Sequence, residues 1–241
     1  AVTVAYLAGM RDRPAPTSPP ANVALAAPDT DAAPGDGAPG RDLPALLAAI
    51  RACRLCAGDF AATRTAHAPR PVLQVSGAGR APILIVGQAP GARVHASGRP
   101  FDDPSGDRLR GWLGVGRACF YDPDRFAIAP MAFCFPGYDA RGADMPPPRR
   151  CAETWREPLM AALGRVELTL LVGGHAQAWH LGRVRARSVT ETVRGWRSLP
   201  RGVLALPHPS WRNTGWLRRN PWCEAEVVPW LRGEVARLLA P

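Results

Sequence analysis

The sequence predicts an α/β fold in which a central, mostly parallel four-stranded sheet carries helices on both faces. Four apolar runs have the length of buried strands and cover residues 82–86, 126–133, 168–172 and 203–206. Helical patterns lie between them at residues 107–113, 150–163 and 176–181. Strands that alternate with helices form parallel sheets covered on both sides. The hydrophobic content of 46% is enough for the core of such a sheet.

The elements outside this alternating pattern are two terminal helices and a tail. Asp42 opens a helical pattern that runs into a C-x-x-C motif, and residues 224–240 close the chain as a helix interrupted at Pro229. Residues 1–40 are rich in Ala, Pro, Gly and Asp, and such a segment buries too little apolar surface to offset its ordering entropy. We therefore expect a disordered tail over residues 1–40 and one folded domain over residues 41–241.

The charge of the chain points to a polyanionic partner. All 30 basic residues are arginine, and the formal net charge is +10. Nucleic acid is the first partner to expect from such an excess, although a charged surface that only promotes solubility would give the same number. Arginine suits bidentate contacts with phosphate. The absence of lysine excludes catalysis through a lysine Schiff base.

The sequence contains no sign of a membrane or secretory segment. No apolar run approaches the length of a membrane span, and residues 1–9 lack the basic start of a signal peptide. We therefore expect a cytoplasmic monomer whose six cysteines stay reduced. Reduced cysteines are available as metal ligands.

Four of the cysteines have a spacing that suits a metal site. A C-x-x-C pair and a remote pair with sixteen residues between its members are formed by Cys53, Cys56, Cys134 and Cys151. Thiolates at the C-x-x-C spacing can bind one side of a metal ion or cluster, and a remote pair can complete four ligands. A zinc site and buried free thiols are the alternatives. Cys119 and Cys223 lie outside the pattern, and we expect them in the core.

Two loops rich in polar and aromatic side chains follow predicted strands. One begins with G-Q-A-P-G at residues 87–91 and continues to residue 107, and the other reads P-H-P-S-W-R-N at residues 207–213. Glycine and proline fix the shape of a loop, and carboxylates beside a phenylalanine suggest a chemical role. Ligands bind beyond the carboxyl ends of parallel strands. We therefore expect both loops to face one crevice.

This pair of loops resembles the uracil-DNA glycosylase superfamily, in which a G-x-A-P-G or G-Q-D-P-Y loop and an H-P-S loop flank a flipped base. S-G-R-P-F at residues 97–101 is similar to the G-R-P-F of the iron–sulfur families 4 and 5. Residues 133–151 resemble the segment that joins the third and fourth cysteines of those families. The resemblance covers roughly residues 47–239, and it implies a [4Fe–4S] cluster on Cys53, Cys56, Cys134 and Cys151.

The chain departs from the family pattern at several positions. Gln88 stands where family 4 has Glu, Ala89 where family 1 has its catalytic Asp, and Pro130 where families 1 and 4 read uracil with Asn. Family 5 also lacks that Asn and carries D-A-S-G after G-R-P-F, where this chain has D-P-S-G. The chain is therefore most similar to family 5, or is a separate relative.

The resemblance implies an acid and an oxyanion donor. The Asp103 carboxylate would stabilise positive charge on the deoxyribose and orient the attacking water. Asp107 is the alternative acid, unless it only favours the first turn of a helix capped by Ser105. His208 would donate to O2 of uracil, where negative charge develops. Further candidates for the acid's place are Asp102, His95 and Gln88.

The same resemblance implies base and DNA contacts. Phe101 would stack on the flipped base, and the base edge or a phosphate would meet Gln88, Ala89 and Gly91. In residues 210–222 arginine alternates with tryptophan, so this loop would contact the duplex, with Trp211 or Arg212 filling the space of the flipped nucleotide. The alternative is an amphipathic surface with Trp216 and Trp222 packed inward. The expected DNA contacts are Ser210, Trp211, Arg212, Asn213, Arg218 and Arg219.

These features predict a monofunctional DNA glycosylase that excises uracil from DNA by hydrolysis and leaves the abasic site uncut. The sequence leaves open whether other deaminated bases are also excised. One alternative is a non-catalytic iron–sulfur module that binds nucleic acid. Another is a covalent binder of uracil-DNA, as in one related branch with a histidine-containing insert between its third and fourth cysteines. Residues 135–150 contain no histidine, which argues against that alternative.

Overall fold

A computed structural model of the chain describes residues 42–164 and 166–240. The expected disordered tail at residues 1–40 lies outside the described residues. The sheet has the strand order β2-β1-β3-β4, with all three neighbouring pairs parallel. Its strands are β1 (Ile83–Val86), β2 (Phe126–Ile128), β3 (Leu168–Val172) and β4 (Val203–Leu206). The predicted α/β class and the four-stranded parallel sheet are confirmed.

The strands are buried on both faces because nearly all their residues are apolar. In β1, Ile83 and Ile85 pack into the core on one side of the sheet, and Leu84 and Val86 pack into the core on the other. Successive side chains of a strand point to opposite faces. A sheet with helices on both faces therefore requires an apolar residue at almost every strand position.

Ten α-helices surround the sheet within the described residues. They are α1 (Leu43–Ala52), α2 (Ala57–Ala61), α3 (Ala92–Ser97), α4 (Pro104–Leu113), α5 (Arg117–Phe120), α6 (Arg149–Ala162), α7 (Gly174–Leu181), α8 (Val189–Arg194), α9 (Thr214–Arg219) and α10 (Val228–Leu238). Side chains of α1, α6 and α7 fill the core on one face, and those of α4, α5, α8, α9 and α10 fill the core on the other. Over this part of the chain no helix combines the length and apolarity needed to cross a membrane.

The terminal helices begin and end as local chemistry requires. The Asp42 carboxylate accepts the N–H of Ala45 at 3.3 Å and caps α1, as Asp at this position commonly does. The interruption expected at Pro229 is a π turn over Cys223–Val227, after which α10 starts. Pro229 is the second residue of α10, where a missing N–H breaks no helical hydrogen bond.

The strand β2 is shorter than the apolar run that predicted it. It ends at Ile128, and the carbonyls of the next two residues, Ala129 and Pro130, accept from the Arg156 guanidinium. The chain beyond it stays close to the segment after β1, where the N–H of Met131 donates to the carbonyl of Gly87 at 3.0 Å. The segments that follow β1 and β2 therefore meet at the carboxyl edge of the sheet.

Candidate active site

An open cavity of about 640 Å³ lies at the carboxyl edge of the sheet. Its walls come from the segments after β1, β2 and β4 and from a segment between residues 136 and 145. The two loops expected to share a crevice do share it. The predicted site residues in its walls are Gln88, Ala89, Gly91, Phe101, Asp103, His208, Ser210, Trp211, Arg212 and Asn213.

Phe101 is held in the cavity by close backbone packing. Its φ angle is +53°, in the left-handed region that a bulky residue rarely adopts. The ring lies against Gly87, where an added Cβ would stand 3.2 Å from the ring, and a Cβ on Gly106 would stand 1.8 Å from the carbonyl oxygen of Phe101. The Arg110 guanidinium donates to that carbonyl at 3.3 Å. Two glycines and one arginine thus maintain an unfavourable backbone conformation that places this ring in the cavity wall.

Asp103 caps α4 and also faces the cavity. Its Oδ1 accepts the N–H of Gly106 at 2.9 Å and the hydroxyl of Ser105 at 2.6 Å. The helix therefore starts at Pro104, earlier than predicted, and its cap is Asp103 rather than Ser105. The Oδ2 atom has no hydrogen-bond partner among the described residues, so one carboxylate oxygen orients the side chain while the other stays available.

His208 is a neutral imidazole with a defined tautomer. Its Nδ1 accepts the backbone N–H of Ser210 at 3.2 Å, which places the ring proton on Nε2. Burial lowers the pKa of His208 below its ordinary value, while the nearby carboxylates of Asp103 and Asp144 act in the opposite direction. The ring rests against Gly173 at the end of β3, where an added Cβ would lie 3.5 Å from the histidine Cβ. The cavity thus contains a neutral N–H donor.

The loop after His208 is fixed by side chains that were expected to bind DNA. The Asn213 amide donates to the His208 carbonyl at 2.7 Å, and the Ser210 hydroxyl accepts the N–H of Arg212 at 3.2 Å. Arg108 of α4 donates to the Ser210 carbonyl at 3.0 Å. Asn213 and Ser210 therefore shape the loop, and Trp211, which is 72% exposed, projects from it.

Three of the residues predicted to act on or bind DNA lie outside the cavity. Asp107 is 74% exposed and forms an ion pair with Arg110, one turn further along α4, which holds its carboxylate on the helix surface. Arg218 and Arg219 are exposed on α9. Their expected DNA contacts stay predictions, whereas the position of Asp107 leaves Asp103 as the better placed acid.

The minor candidates for the acid have other partners. Asp102 accepts from Arg117 at 2.9 Å, and this hydrogen bond lowers the pKa of Asp102. His95 packs edge-on against His67, with ring centroids 5.1 Å apart, and burial lowers its pKa. Neither side chain reaches the cavity wall, whereas Gln88 does.

Sequence reasoning missed the wall formed by the segment between Cys134 and Cys151. Tyr138, Asp144 and Met145 all line the cavity, and Asp144 Oδ2 lies 3.9 Å from the Arg212 guanidinium across its mouth. The order of elements could have predicted this wall, because the segment follows β2 and therefore also leaves the sheet at its carboxyl edge.

At Pro130, where families 1 and 4 have an asparagine, the backbone carbonyls are also engaged and cannot replace the missing amide. Pro130 lines the cavity, but its carbonyl and that of Ala129 accept from the fully buried guanidinium of Arg156. This segment therefore presents an apolar ring to the cavity, and its carbonyls are directed away to the arginine. Any polar contact with a base edge has to come from elsewhere in the wall.

The four spaced cysteines line a second, apolar cavity, here called the thiol cavity. Its apolar walls include Phe60, Phe133 and Trp155. The thiols that line it are those of Cys53, Cys56, Cys134 and Cys151. All four are free, and the N–H of Phe133 donates to the sulfur of Cys151 at 3.5 Å. Within residues 42–164 and 166–240 no group of three or more metal-binding side chains is arranged to hold a single ion. The thiols share a wall without converging on one point.

The protonation of these thiols follows from their burial. Loss of solvation raises the pKa of Cys134 to about 12 and that of Cys151 to about 11, and nearby thiols add to both shifts. Cys56 shifts in the same direction. The two remaining cysteines stand apart, since Cys223 is fully buried in the core and Cys119 packs against it, as expected.

Fold and cavity together define an α/β protein with a ligand site at the carboxyl edge of a parallel sheet. The family model of the uracil DNA glycosylase superfamily matches residues 75–232, and the chain belongs to that superfamily. The match includes both cavity loops, Cys134 and Cys151, and it leaves out Cys53 and Cys56.

Proposed function

We propose that the protein is a monofunctional glycosylase that hydrolyses the N-glycosidic bond of uracil in DNA. The observation that carries this proposal is the convergence of three groups on one cavity: the Phe101 ring, the free oxygen of Asp103 and the neutral imidazole of His208. The ring would stack on the base, the carboxylate would face the sugar, and the imidazole would donate to an oxygen of the leaving base. Membership of the superfamily supports the same reaction class.

Phe101 would bind the base after the nucleotide leaves the helix. Base flipping loses stacking energy, and an aromatic plane in the protein replaces part of it. The strained backbone of Phe101 fixes the ring before the base arrives, so little ordering entropy is lost on binding.

His208 would stabilise the leaving base. Negative charge develops on O2 of uracil as the bond breaks, and the Nε2–H of a neutral imidazole can donate to it. The Ser210 N–H keeps Nδ1 as the acceptor, so the proton is held on the nitrogen that faces the base. Burial, which lowers the pKa of His208, keeps the imidazole in its neutral form, and the hydrogen bond from Ser210 selects the tautomer.

Asp103 would act on the other side of the bond. Positive charge develops on the deoxyribose, and a carboxylate beside C1′ stabilises it and orients the attacking water. Its Oδ1 is already bonded to Ser105 and Gly106, so Oδ2 serves this purpose. Because Asp103 caps a helix, its orientation does not depend on the substrate.

Gln88 would read the polar edge of the base in place of the missing asparagine. Its amide presents both a donor and an acceptor, which match O4 and N3–H of uracil. It lies in the cavity wall directly after Gly87, beside the amides of Ala89 and Gly91. Pro130 then contributes only an apolar surface.

The loop after β4 would face the DNA. Trp211 or Arg212, both exposed at the rim of the cavity, would fill the space left by the flipped nucleotide. Arg218 and Arg219 would contact phosphates further along the strand. The net charge of +10, carried by arginine alone, supports a polyanionic partner.

Cys53, Cys56, Cys134 and Cys151 would hold a [4Fe–4S] cluster. Four free thiols around one apolar cavity, with a backbone N–H directed at one sulfur, fit such a group. A single zinc ion on the same four thiols is the alternative, and the metal content of the purified protein distinguishes the two. When bound, the cluster would join the end of α1 to both ends of the segment between Cys134 and Cys151 and thereby supply structure.

A cleavage assay tests the proposed function. An oligonucleotide with one uracil, as a single strand and as a duplex, should release free uracil under single-turnover conditions. The strand should stay intact until alkali or heat is applied, and borohydride should trap no adduct through a lysine, because the chain has none. Tight binding without release would favour a non-catalytic module, and an adduct that survives denaturation would favour a covalent binder. Either result would contradict the proposal.

A further inference from the structure

The rings of Phe60, His67, Phe135 and Tyr138 form a row, here called the strut, that runs from the thiol cavity to the cavity at the carboxyl edge of the sheet, here called the base cavity. The ring of Phe60 stacks on His67 with centroids 5.1 Å apart and an interplanar angle of 16°. His67 lies 5.1 Å from Phe135, and Phe135 meets Tyr138 edge-on at 5.1 Å. Phe60 belongs to the wall of the thiol cavity and Tyr138 to that of the base cavity. Four rings thus connect the two cavities.

His67 is the fixed point of this strut because both its nitrogens are bonded. Nε2 lies 2.8 Å from the Phe135 carbonyl oxygen, which can only accept, so Nε2 carries a proton. Nδ1 lies 2.9 Å from the Thr65 hydroxyl, which in turn lies 2.9 Å from the Thr63 hydroxyl. The ring therefore cannot rotate without losing hydrogen bonds at both edges.

The backbone at Gly137, in the segment that lines the base cavity, packs against the two threonines that precede His67. Gly137 has a φ angle of +94°, and a Cβ there would lie 3.0 Å from the hydroxyl oxygens of both Thr63 and Thr65. The Gly137 carbonyl accepts the N–H of Met145 at 2.9 Å. Residues 63–67 thus contact the turn at Gly137, and Gly137 in turn holds Met145 through this backbone hydrogen bond.

Tyr138 is the end of the strut that faces the substrate. Its ring packs on Phe135, it lines the cavity, and its hydroxyl has no hydrogen-bond partner among the described residues. A phenol at the wall can contact a flipped nucleotide through its ring and through its hydroxyl. None of the proposed chemical steps uses it.

We propose that His67 is a positioning residue for the base cavity, which holds Tyr138 against the flipped nucleotide through Phe135. The contact between Tyr138 and the nucleotide rests on the proposed function. The structural support that His67 gives to residues 135–145 is independent of that function. Because Tyr138 binds the nucleotide in both ground and transition states, the strut serves affinity more than rate.

Amide hydrogen exchange tests the mechanical link without any substrate. In His67→Ala, exchange should speed up about tenfold or more across residues 137–145, including the Met145 N–H, while the amides of β3 and β4 keep their rates. His175→Ala, which removes an exposed histidine of α7, is the matched control and should change neither region. Unchanged exchange at residues 137–145 in His67→Ala would overturn the proposal.

Binding of DNA with an uncleavable 2′-fluoro-2′-deoxyuridine tests the link to Tyr138. His67→Ala and Tyr138→Ala should each raise Kd about 3- to 10-fold, the scale of one aromatic contact. The double variant should be no weaker than Tyr138→Ala alone, because His67 acts through Tyr138. The single-turnover rate at saturating uracil-DNA should stay within about twofold of wild type.

Additive losses in the double variant would show that His67 acts through another path and would overturn the proposal. A wild-type protein that releases no uracil would contradict the proposed function alone, since the exchange and binding experiments need no cleavage. An altered iron content of His67→Ala would assign the effect to the thiol cavity and would equally count against the proposal.

Discussion

Burial shifts the pKa values of side chains in the base cavity and in the thiol cavity in opposite directions. In the base cavity, burial lowers the pKa of His208, so that the imidazole is held in its neutral form and can donate a hydrogen bond. In the thiol cavity, burial raises the pKa of Cys134 to about 12, so that an acid is held neutral and is not yet a ligand. Desolvation disfavours whichever form is charged.

The comparison indicates what each cavity requires from its ligand. Under the proposed function, the base cavity receives a neutral nucleobase, and His208 needs no change of protonation when the nucleobase binds. The thiol cavity must lose protons when a metal binds, because the thiolate is the ligand, so metal uptake there should be coupled to proton release. The first cavity is thus organised in advance, whereas the second would be completed by its metal.

The largest expected effect comes from the carboxylate of the base cavity. Asp103→Asn should lower the single-turnover rate roughly 10²–10⁴-fold, the scale for loss of a positioned base or electrostatic group. Asn caps helices about as well as Asp, so the melting temperature should change little. DNA binding measured on the uncleavable substrate should also be retained.

Asp107→Asn is the control for this variant. It should keep the rate and cost less than about 1 kcal/mol of stability, as expected for an exposed residue in a first helical turn. An inactive Asp107→Asn beside an active Asp103→Asn would reverse the assignment of the acid.

The imidazole of the base cavity should come next. His208→Ala should cost about 10²–10³-fold in rate through loss of the oxyanion donor. Since burial lowers its pKa below 6.5, His208 stays neutral as the pH falls through that value, and the wild-type rate should stay level there. Rates measured between pH 5 and pH 8 check this. A fall in rate centred at or above pH 6.5 would mean that His208 is not shielded in this way.

The thiol cavity is tested by metal content. Protein purified without oxygen should be brown, with broad absorption near about 400 nm and about four iron atoms per chain. Cys134→Ser should lose most of the iron and the colour, while Cys119→Ser, outside the cavity, should keep both. A colourless and fully active wild-type protein containing zinc would contradict the cluster.

The smallest effects should come from the DNA surface outside both cavities. If Arg212, Arg218 and Arg219 contact phosphates, Arg212→Ala, Arg218→Ala and Arg219→Ala should each reduce the slope of log affinity against log salt by about 0.9, and an unchanged slope for Arg212→Ala would leave that residue only the role of filling the space of the flipped nucleotide. Arg201→Ala, at the opposite edge of the sheet before β4, should leave the slope unchanged. Equal slopes in all four variants would place the DNA surface elsewhere.

Much of the fold and part of the site followed from sequence pattern. Apolar runs of strand length identified the four strands, and the rule for parallel sheets brought Gln88 and His208 to one edge. The length of β2 was overestimated, because apolar residues 129–133 serve the core outside the ladder. The choice between Asp103 and Asp107 depended on a cap and an ion pair that no spacing distinguishes.

The amino-acid sequence by itself determined the α/β class, the two loops of the cavity and the four cysteines, because strand burial, glycine and proline are local signals. Only the tertiary structure decided that Asp103 faces the cavity, that His208 carries its proton on Nε2, and that Tyr138 and Asp144 complete the wall. These features depend on contacts between residues far apart in the chain. The strut from His67 to Phe135 spans 68 positions and illustrates the reason: its geometry arises only when the segments after α2 and β2 pack together.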